Sequence, residues 1–184
     1  MDTLIDIAEL ADDLRRVTVE VVGADELLGS GVLWPAGHVV TNAHVVRRPE
    51  VTLRLSDGRH LNARVLARDA DADLALLSAP GAGVPAAVLA EPDTLRVGSF
   101  VAAIGHPLGV RGALATGIVC AIAAIDRSGR PWIQADLHLA PGNSGGPLAD
   151  AGGRIVGLNS RAAGPLALAV PIDQVMRFVR ALQA

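Results

Sequence analysis

The stretch "LAPGNSGGPL", residues 139–148, surrounds a single serine, Ser144, with glycine and proline. Its G-N-S-G-G core satisfies the pattern G-x-S-x-G, which in an α/β-hydrolase places a nucleophilic serine on a sharp turn between a strand and a helix. That fold requires a helix directly after the serine and a catalytic histidine later in the chain. Neither condition is met. His38, His44, His60, His106 and His138 all precede Ser144, and the residues after it, "GGPLADAGGRIVGL", read as strand, glycine-rich turn and strand.

Working outward from that stretch, short β-rich runs alternate with turn signals. "VTVEVVG", "GSGVLW", "HVVTNA", "EVTLRL", "RHLNARVLARD" and "DLALLSA" come first, with Asp57-Gly58 as a hairpin turn between two of them. A Pro/Gly/Ala-rich stretch, "SAPGAGVPAAVLAEPDTL", interrupts the pattern before a second set of runs begins at "GSFVAAIG". Regularly spaced strands with no interleaved helices predict an all-β chain built as barrels or a sandwich. The expected divisions are an N-terminal amphipathic helix over 1–16, a first β lobe over 17–78, a connector over 79–97, a second lobe over 98–171 and a C-terminal helix over 172–184. Leu4, Ile7, Leu10 (or Ala11) and Leu14 make the apolar stripe of the first helix, and Ile172, Val175, Met176 and Val179 that of the last.

Composition excludes several functions. The net charge is -3, and aromatic residues make up 2% of the chain, so neither the basic footprint nor the stacking platforms of a nucleic-acid binder are present. All basic residues apart from histidine are arginine; without lysine there is no Walker-type phosphate site, Schiff base or Ser-Lys dyad. The lone Cys120, in the apolar run "GIVCAIAAI", reads as a small core residue. The histidines show no metal-ligand spacing, so neither metal nor cofactor is expected. The acidic first residues do not read as a signal peptide and no apolar stretch is long enough for a membrane span. On that reading the chain is cytoplasmic, or periplasmic or secreted if a leader was removed.

A serine hydroxyl is a poor nucleophile. It needs a neutral imidazole to accept its proton and a carboxylate to fix the ring's tautomer. The oxyanion formed on the substrate needs donors already in place, and the backbone N–H groups of Gly142, Asn143 and Ser144 in a tight turn supply them. Gly145 and Gly146 are expected to leave room for the substrate backbone.

Two further strings complete this chemistry: "VVTNAHVV" at 39–46 and "DADADLALL" at 69–77. Together with "PGNSGGPL" and "GHPLG", they resemble the trypsin-like serine proteases of the HtrA/Deg family. The resemblance runs from about Val17 to the last helix and implies a chymotrypsin-like double β-barrel with the active site between barrels. It implies His44 as general base, Asp73 as orienting carboxylate and Ser144 as nucleophile. Among Asp69, Asp71 and Asp73, the last directly precedes the apolar run and matches the family's D-L-A.

The resemblance also implies that Leu139 and the segment 160–162 wall the specificity pocket; strand alternation then puts Ser160 and Ala162 on one face with Arg161 pointing away, which makes the expected pocket small and apolar. The expected function is therefore a serine endopeptidase cutting extended or unfolded polypeptide after small or medium aliphatic residues. His138 stands near that pocket as a candidate wall residue; His38 and His60 read as solvated, and His106 occupies a loop position where the family often has Asn. The chain resembles the protease part alone, without a peptide-binding PDZ module, and its first aromatic is Trp34, so the resemblance leaves monomer and trimer both open. A second reading is a catalytically inactive peptide-binding or chaperone-like relative, and a third an esterase on the same barrels.

Overall fold

In the computed structural model, residues 5–23, 27–82, 85–125 and 129–182 are described. The first barrel comprises β1 (Thr18–Val22), β2 (Leu27–Trp34), β3 (His38–Thr41), β4 (Glu50–Arg54), β5 (His60–Asp69) and β6 (Leu74–Ser78). These strands pair in the order β1-β2-β3-β6-β5-β4, and β4 returns to β1 with Leu53 opposite Val21. The second barrel comprises β7 (Phe100–Gly105), β8 (Ala113–Ala124), β9 (Pro131–Ala135), β10 (Pro147–Asp150), β11 (Ile155–Ala163) and β12 (Leu166–Pro171). It closes in the order β10-β11-β12-β9-β8-β7, with Leu148 opposite Ala103. Every pairing within the barrels is antiparallel, and helices α1 (Ile7–Arg16) and α2 (Ile172–Ala181) flank them in sequence. The expected all-β double barrel with a helix at each end is the fold observed.

The side-chain period of two explains how these short apolar strands make three cores. On β3 and β6, Val39, Ala75 and Leu77 fill the first barrel, whereas Val40, Leu74 and Leu76 point into the layer between barrels. On β7, Val101 and Ala103 fill the second barrel while Ala102 and Ile104 join that shared layer. Because both faces of these strands are buried, they read as continuous apolar runs and not as clean alternation. Trp34 and Trp132 both sit in the shared layer.

Both helices seal the same layer. The Asp6 side chain caps α1 by accepting from the Ala8 and Glu9 amides, and Leu10, Ala11 and Leu14 are buried. Each fully buried leucine contributes about 2 kcal/mol. Ile7 is exposed instead of continuing the expected stripe, because it starts the first turn, beyond the packed face; Leu4 lies outside the described residues. On α2, Ile172, Val175 and Val179 are buried and Met176 packs against them.

Cys120 is exposed, contrary to the core reading. The register of β8 against β9 shifts between Val119 and Ala121, so Cys120 is the extra residue of a bulge. A bulge adds a residue outside the inside-outside alternation of the strand, so lying in an apolar run does not put Cys120 in the core.

Candidate active site

His44 and Asp73 come from the first barrel. After β3 the chain turns at Asn42, whose carbonyl accepts from the Val45 amide, leaving His44 at the surface above buried Ala43. The β5–β6 connection is closed by Asp69, whose Oδ1 accepts from the Asp71 and Ala72 amides. That role removes Asp69 from the choice among carboxylates, and Asp71 is exposed. Asp73 then adopts φ +53°, a left-handed conformation in which Asp is among the few tolerated side chains. The Asn42 side-chain amide holds it there by donating to the Asp73 carbonyl at 2.9 Å.

The Asp73 carboxylate thereby meets His44. His44 Nδ1 lies 2.9 Å from both carboxylate oxygens, and the His44 backbone N–H donates to Oδ1 at 3.1 Å. Ser160 Oγ donates to Oδ2 at 2.6 Å. Burial pushes the Asp73 carboxyl up, but the hydrogen bonds from His44 and Ser160 and the attraction of His44 outweigh it and hold the group below the usual carboxylate value. An ionised carboxylate only accepts, so the imidazole carries its proton on Nδ1 and keeps the Nε2 lone pair free.

Ser144 comes from the second barrel, in the turn before β10. Ala140, Pro141, Gly142 and Asn143 form a four-residue turn closed by Asn143 N–H donating to the Ala140 carbonyl at 3.0 Å. Proline second and glycine third, with Gly142 at φ +106°, are the pattern of a type II turn. The carbonyls of this segment are anchored one by one. Pro141 O accepts from the Leu108 amide, Gly142 O from the His106 amide and Ser30 Oγ, Asn143 O from the Gly146 amide, and Ser144 O from the Ser30 amide. In a trans peptide the N–H points opposite to its carbonyl. Anchoring Pro141 O and Asn143 O therefore aims the Gly142 and Ser144 N–H groups the other way. Among the described residues neither N–H has an acceptor within the chain.

Several sequence expectations change here. Asn143 was expected to join Gly142 and Ser144 as an oxyanion donor, but its N–H is consumed in closing the turn. Gly145 and Gly146 make room for the protein's own backbone, not the substrate's. A Cβ on Gly145 would collide with Ser30 O and Thr41 Oγ1, and one on Gly146 with Ile104 O. Ser160 does not share a face with Ala162, because the register of β11 shifts between Asn159 and Arg161 and Ser160 is the bulged residue. The bulge turns its hydroxyl onto Asp73, while Ala162 is exposed, Leu139 half-buried and Arg161 stacked over the Trp132 ring at 4.7 Å. His138 is exposed.

The Ser144 hydroxyl donates to the Ser160 carbonyl at 2.7 Å. Ser160 thus holds the resting hydroxyl with its carbonyl and Asp73 with its own hydroxyl, a junction not signalled by sequence. Among the described residues no group of three His, Cys, Asp or Glu side chains could hold a metal ion.

His106 is the other residue given little weight by sequence. It is only 6% exposed, and its Nδ1 lies 2.8 Å from Ser30 Oγ. Burial, then the nearby Arg111 and Arg54 guanidiniums, lower its pKa from 6.5 to about 4. Between those values the unfolded chain binds a proton that the folded chain refuses, so stability falls as pH drops from 6.5 towards 4. The expected size is about 2 to 3 kcal/mol. Urea unfolding at about pH 7 and about pH 4.5 should show His106→Asn losing less stability than wild type by that amount. Equal losses in the two proteins would contradict the assignment.

Comparison with known proteins agrees with this geometry. The family model described as "Trypsin-like peptidase domain" matches residues 29–158. A "Probable periplasmic serine endoprotease DegP-like" of Pseudomonas savastanoi pv. phaseolicola is 39% identical over 173 residues, covering 85% of this chain and 35% of the relative. The protein of the same description from Halomonas elongata is 40% identical over 159 residues, covering 81% of this chain and 34% of the relative. The chain thus spans about a third of the length of these curated relatives. Among solved structures, "HtrA-type protease AlgW with decapeptide" superposes with a TM-score of 0.86 at 25% identity, covering 97% of this chain and 67% of that one.

Proposed function

Because the chain belongs to the trypsin-like peptidase family, we propose that it is a serine endopeptidase in which Ser144, His44 and Asp73 perform acyl transfer on extended polypeptide. The observation that carries this reading is the convergence of separate segments on one point. His44 and Ser160 both bond the Asp73 carboxylate, and Ser160 also receives the Ser144 hydroxyl.

In the reaction, Ser144 Oγ exchanges the Ser160 carbonyl for His44 Nε2, gives up its proton there and attacks the substrate carbonyl carbon. The negative oxygen of the tetrahedral intermediate accepts from the Gly142 and Ser144 N–H groups. Collapse breaks the C–N bond, and His44 returns the proton to the departing amine. Water, deprotonated by the same imidazole, then attacks the acyl-enzyme and releases the carboxylate product and Ser144. Asp73 stays ionised throughout and stabilises the transient imidazolium.

The substrate reading rests on shape and chemistry. The solved relative was determined with a decapeptide, and the end of β11 next to Ser160 offers exposed residues for an extended chain. With Ser160 turned onto Asp73, Leu139 and Ala162 remain the proposed walls of the pocket for the side chain before the cut. Both are apolar, so an unpaired charge buried there is costly, whereas Val, Ile, Leu or Ala fits. The relatives are named periplasmic, which supports a periplasmic location; the cytoplasmic expectation finds no support among them. No helix of the described residues is long and apolar enough to cross a membrane.

Digestion of a library of unstructured peptides tests both parts of the proposal. Cleavage predominantly after aliphatic residues is expected. Absence of cleavage would remove the protease reading, and dominant cleavage after Arg, Lys, Asp or Glu would remove the apolar pocket while leaving the chemistry intact.

A further inference from the structure

We propose that Ser30 and His106 are a positioning pair that holds the oxyanion turn in its competent conformation from across the barrel boundary. The assignment rests on the protease reading above and concerns two residues that take no part in bond making.

Ser30 lies on β2 of the first barrel and is fully buried. Its backbone N–H donates to Ser144 O at 2.8 Å, and its carbonyl accepts from Thr41 Oγ1 at 2.6 Å. Its hydroxyl lies 2.7 Å from Gly142 O and 2.8 Å from His106 Nδ1. That hydroxyl has one proton, and a carbonyl can only accept, so the proton goes to Gly142 O. His106 must then donate from Nδ1, and because burial and the nearby guanidiniums keep the ring neutral it does so as the Nδ1–H tautomer. The chain of donation runs from His106 to Ser30 to the Gly142 carbonyl, its first bond buried and its second part-buried, a setting in which such bonds reinforce one another.

Gly142 needs this support. Its φ of +106° is open to glycine but not enforced by it, because glycine has no side-chain preference to keep. The peptide before it is fixed by Leu108 N–H on Pro141 O at 3.0 Å. The carbonyl after it is fixed by Ser30 Oγ and, at a longer 3.3 Å, by the His106 amide. Removing the Ser30 hydroxyl leaves only the longer His106 bond on the carbonyl of the Gly142–Asn143 peptide, so that peptide loosens between the Gly142 and Ser144 N–H groups and the turn samples arrangements in which the two no longer converge on one oxyanion. Only the competent fraction turns over.

The loop carrying His106 is itself braced. Arg15 of α1 donates to Gly112 O at 2.8 Å, and Arg111 lies 3.6 Å from the buried Glu20 of β1, which also pairs with Arg54 at 2.8 Å. A Cβ on Gly142 would strike the His106 carbonyl, so loop and turn are in direct contact.

The test uses a fluorogenic peptide with Val before the scissile bond and the peptide boronic acid of the same sequence, whose tetrahedral adduct occupies the oxyanion site. Ser30→Ala should lower kcat about 10- to 100-fold and weaken boronate binding by the same factor, with KM changed less than about twofold. His106→Leu should lower kcat in the same manner, and His106→Asn, whose amide N–H can donate from near the Nδ1 position, should restore most of it. The double variant Ser30→Ala/His106→Leu should be no worse than Ser30→Ala alone by more than about twofold, since both act through one carbonyl. Should Ser30→Ala not fold, Ser30→Cys, with a weaker donor of similar shape, should give a smaller loss of the same kind. Variants that fold and match wild type in kcat and boronate affinity, or that change KM alone, overturn the assignment. A wild type that neither cleaves the peptide nor binds the boronate instead removes the protease reading, and this assignment with it.

Discussion

Ser144→Ala should fold normally and lose roughly four to six orders of magnitude in kcat. Among the described residues the hydroxyl makes one hydrogen bond, to the Ser160 carbonyl, so its removal should shift the thermal midpoint by no more than a few degrees, the effect of about 1 kcal/mol. Everything else about the site survives: the His44–Asp73 pair, the Gly142 and Ser144 N–H groups and the cleft. What remains is catalysis by binding and oxyanion stabilisation alone. In parallel, a fluorophosphonate probe should modify the wild type at Ser144 and leave the alanine variant unlabelled, as read by mass mapping. An alanine variant that degrades unfolded casein at the wild-type rate would show that another group carries the chemistry.

The second large effect is expected from Asp73→Asn, for a reason of proton placement and not of shape. The amide presents N–H donors where the carboxylate had only acceptors. If it donates to His44 Nδ1, that nitrogen must be unprotonated, so the imidazole carries its proton on Nε2 and faces Ser144 with a donor. A base in that tautomer cannot accept the serine proton, and kcat should fall about 10⁴-fold, the loss known for this change in the trypsin-type template. Asparagine tolerates the left-handed backbone that Asp73 adopts at φ +53°, so the turn should persist. Steady-state kinetics with circular dichroism decides the matter: a loss smaller than about tenfold, in a folded variant, would remove Asp73 from its role.

The residues of the proposed triad were legible because they sit at the ends of apolar runs, where sequence pattern and turn signals are strongest. His44 follows β3, Asp73 precedes β6 and Ser144 precedes β10. The residues that organise the triad were not. Ser160 was assigned to the pocket wall by simple alternation, and a single bulged residue in β11 turned it onto Asp73 instead. Cys120 was misplaced by the same device in β8. Bulges leave no compositional trace, so period-two reasoning fails wherever one occurs. Asn143, Gly145 and Gly146 were read as facing the substrate because a motif shows which residues surround the serine but not which backbone groups are already occupied. Ser30 and His106 are separated by 76 positions and meet only because two barrels close against each other. His106 further shows that a histidine in a loop motif can be buried and neutral, which depends on the neighbouring guanidiniums and not on the motif.

The division of the site between barrels ties the proposed activity to the layer that joins them. His44 and Asp73 ride on one barrel and Ser144 on the other, so the proposed catalysis requires that the layer containing Val40, Leu74, Ile104 and Leu158 be intact. A copy whose barrels part would expose the apolar strands of that layer to water. In the same event it would separate the proposed base from the proposed nucleophile. On the proposed mechanism, the contact that keeps the two halves folded is also the contact that keeps them armed.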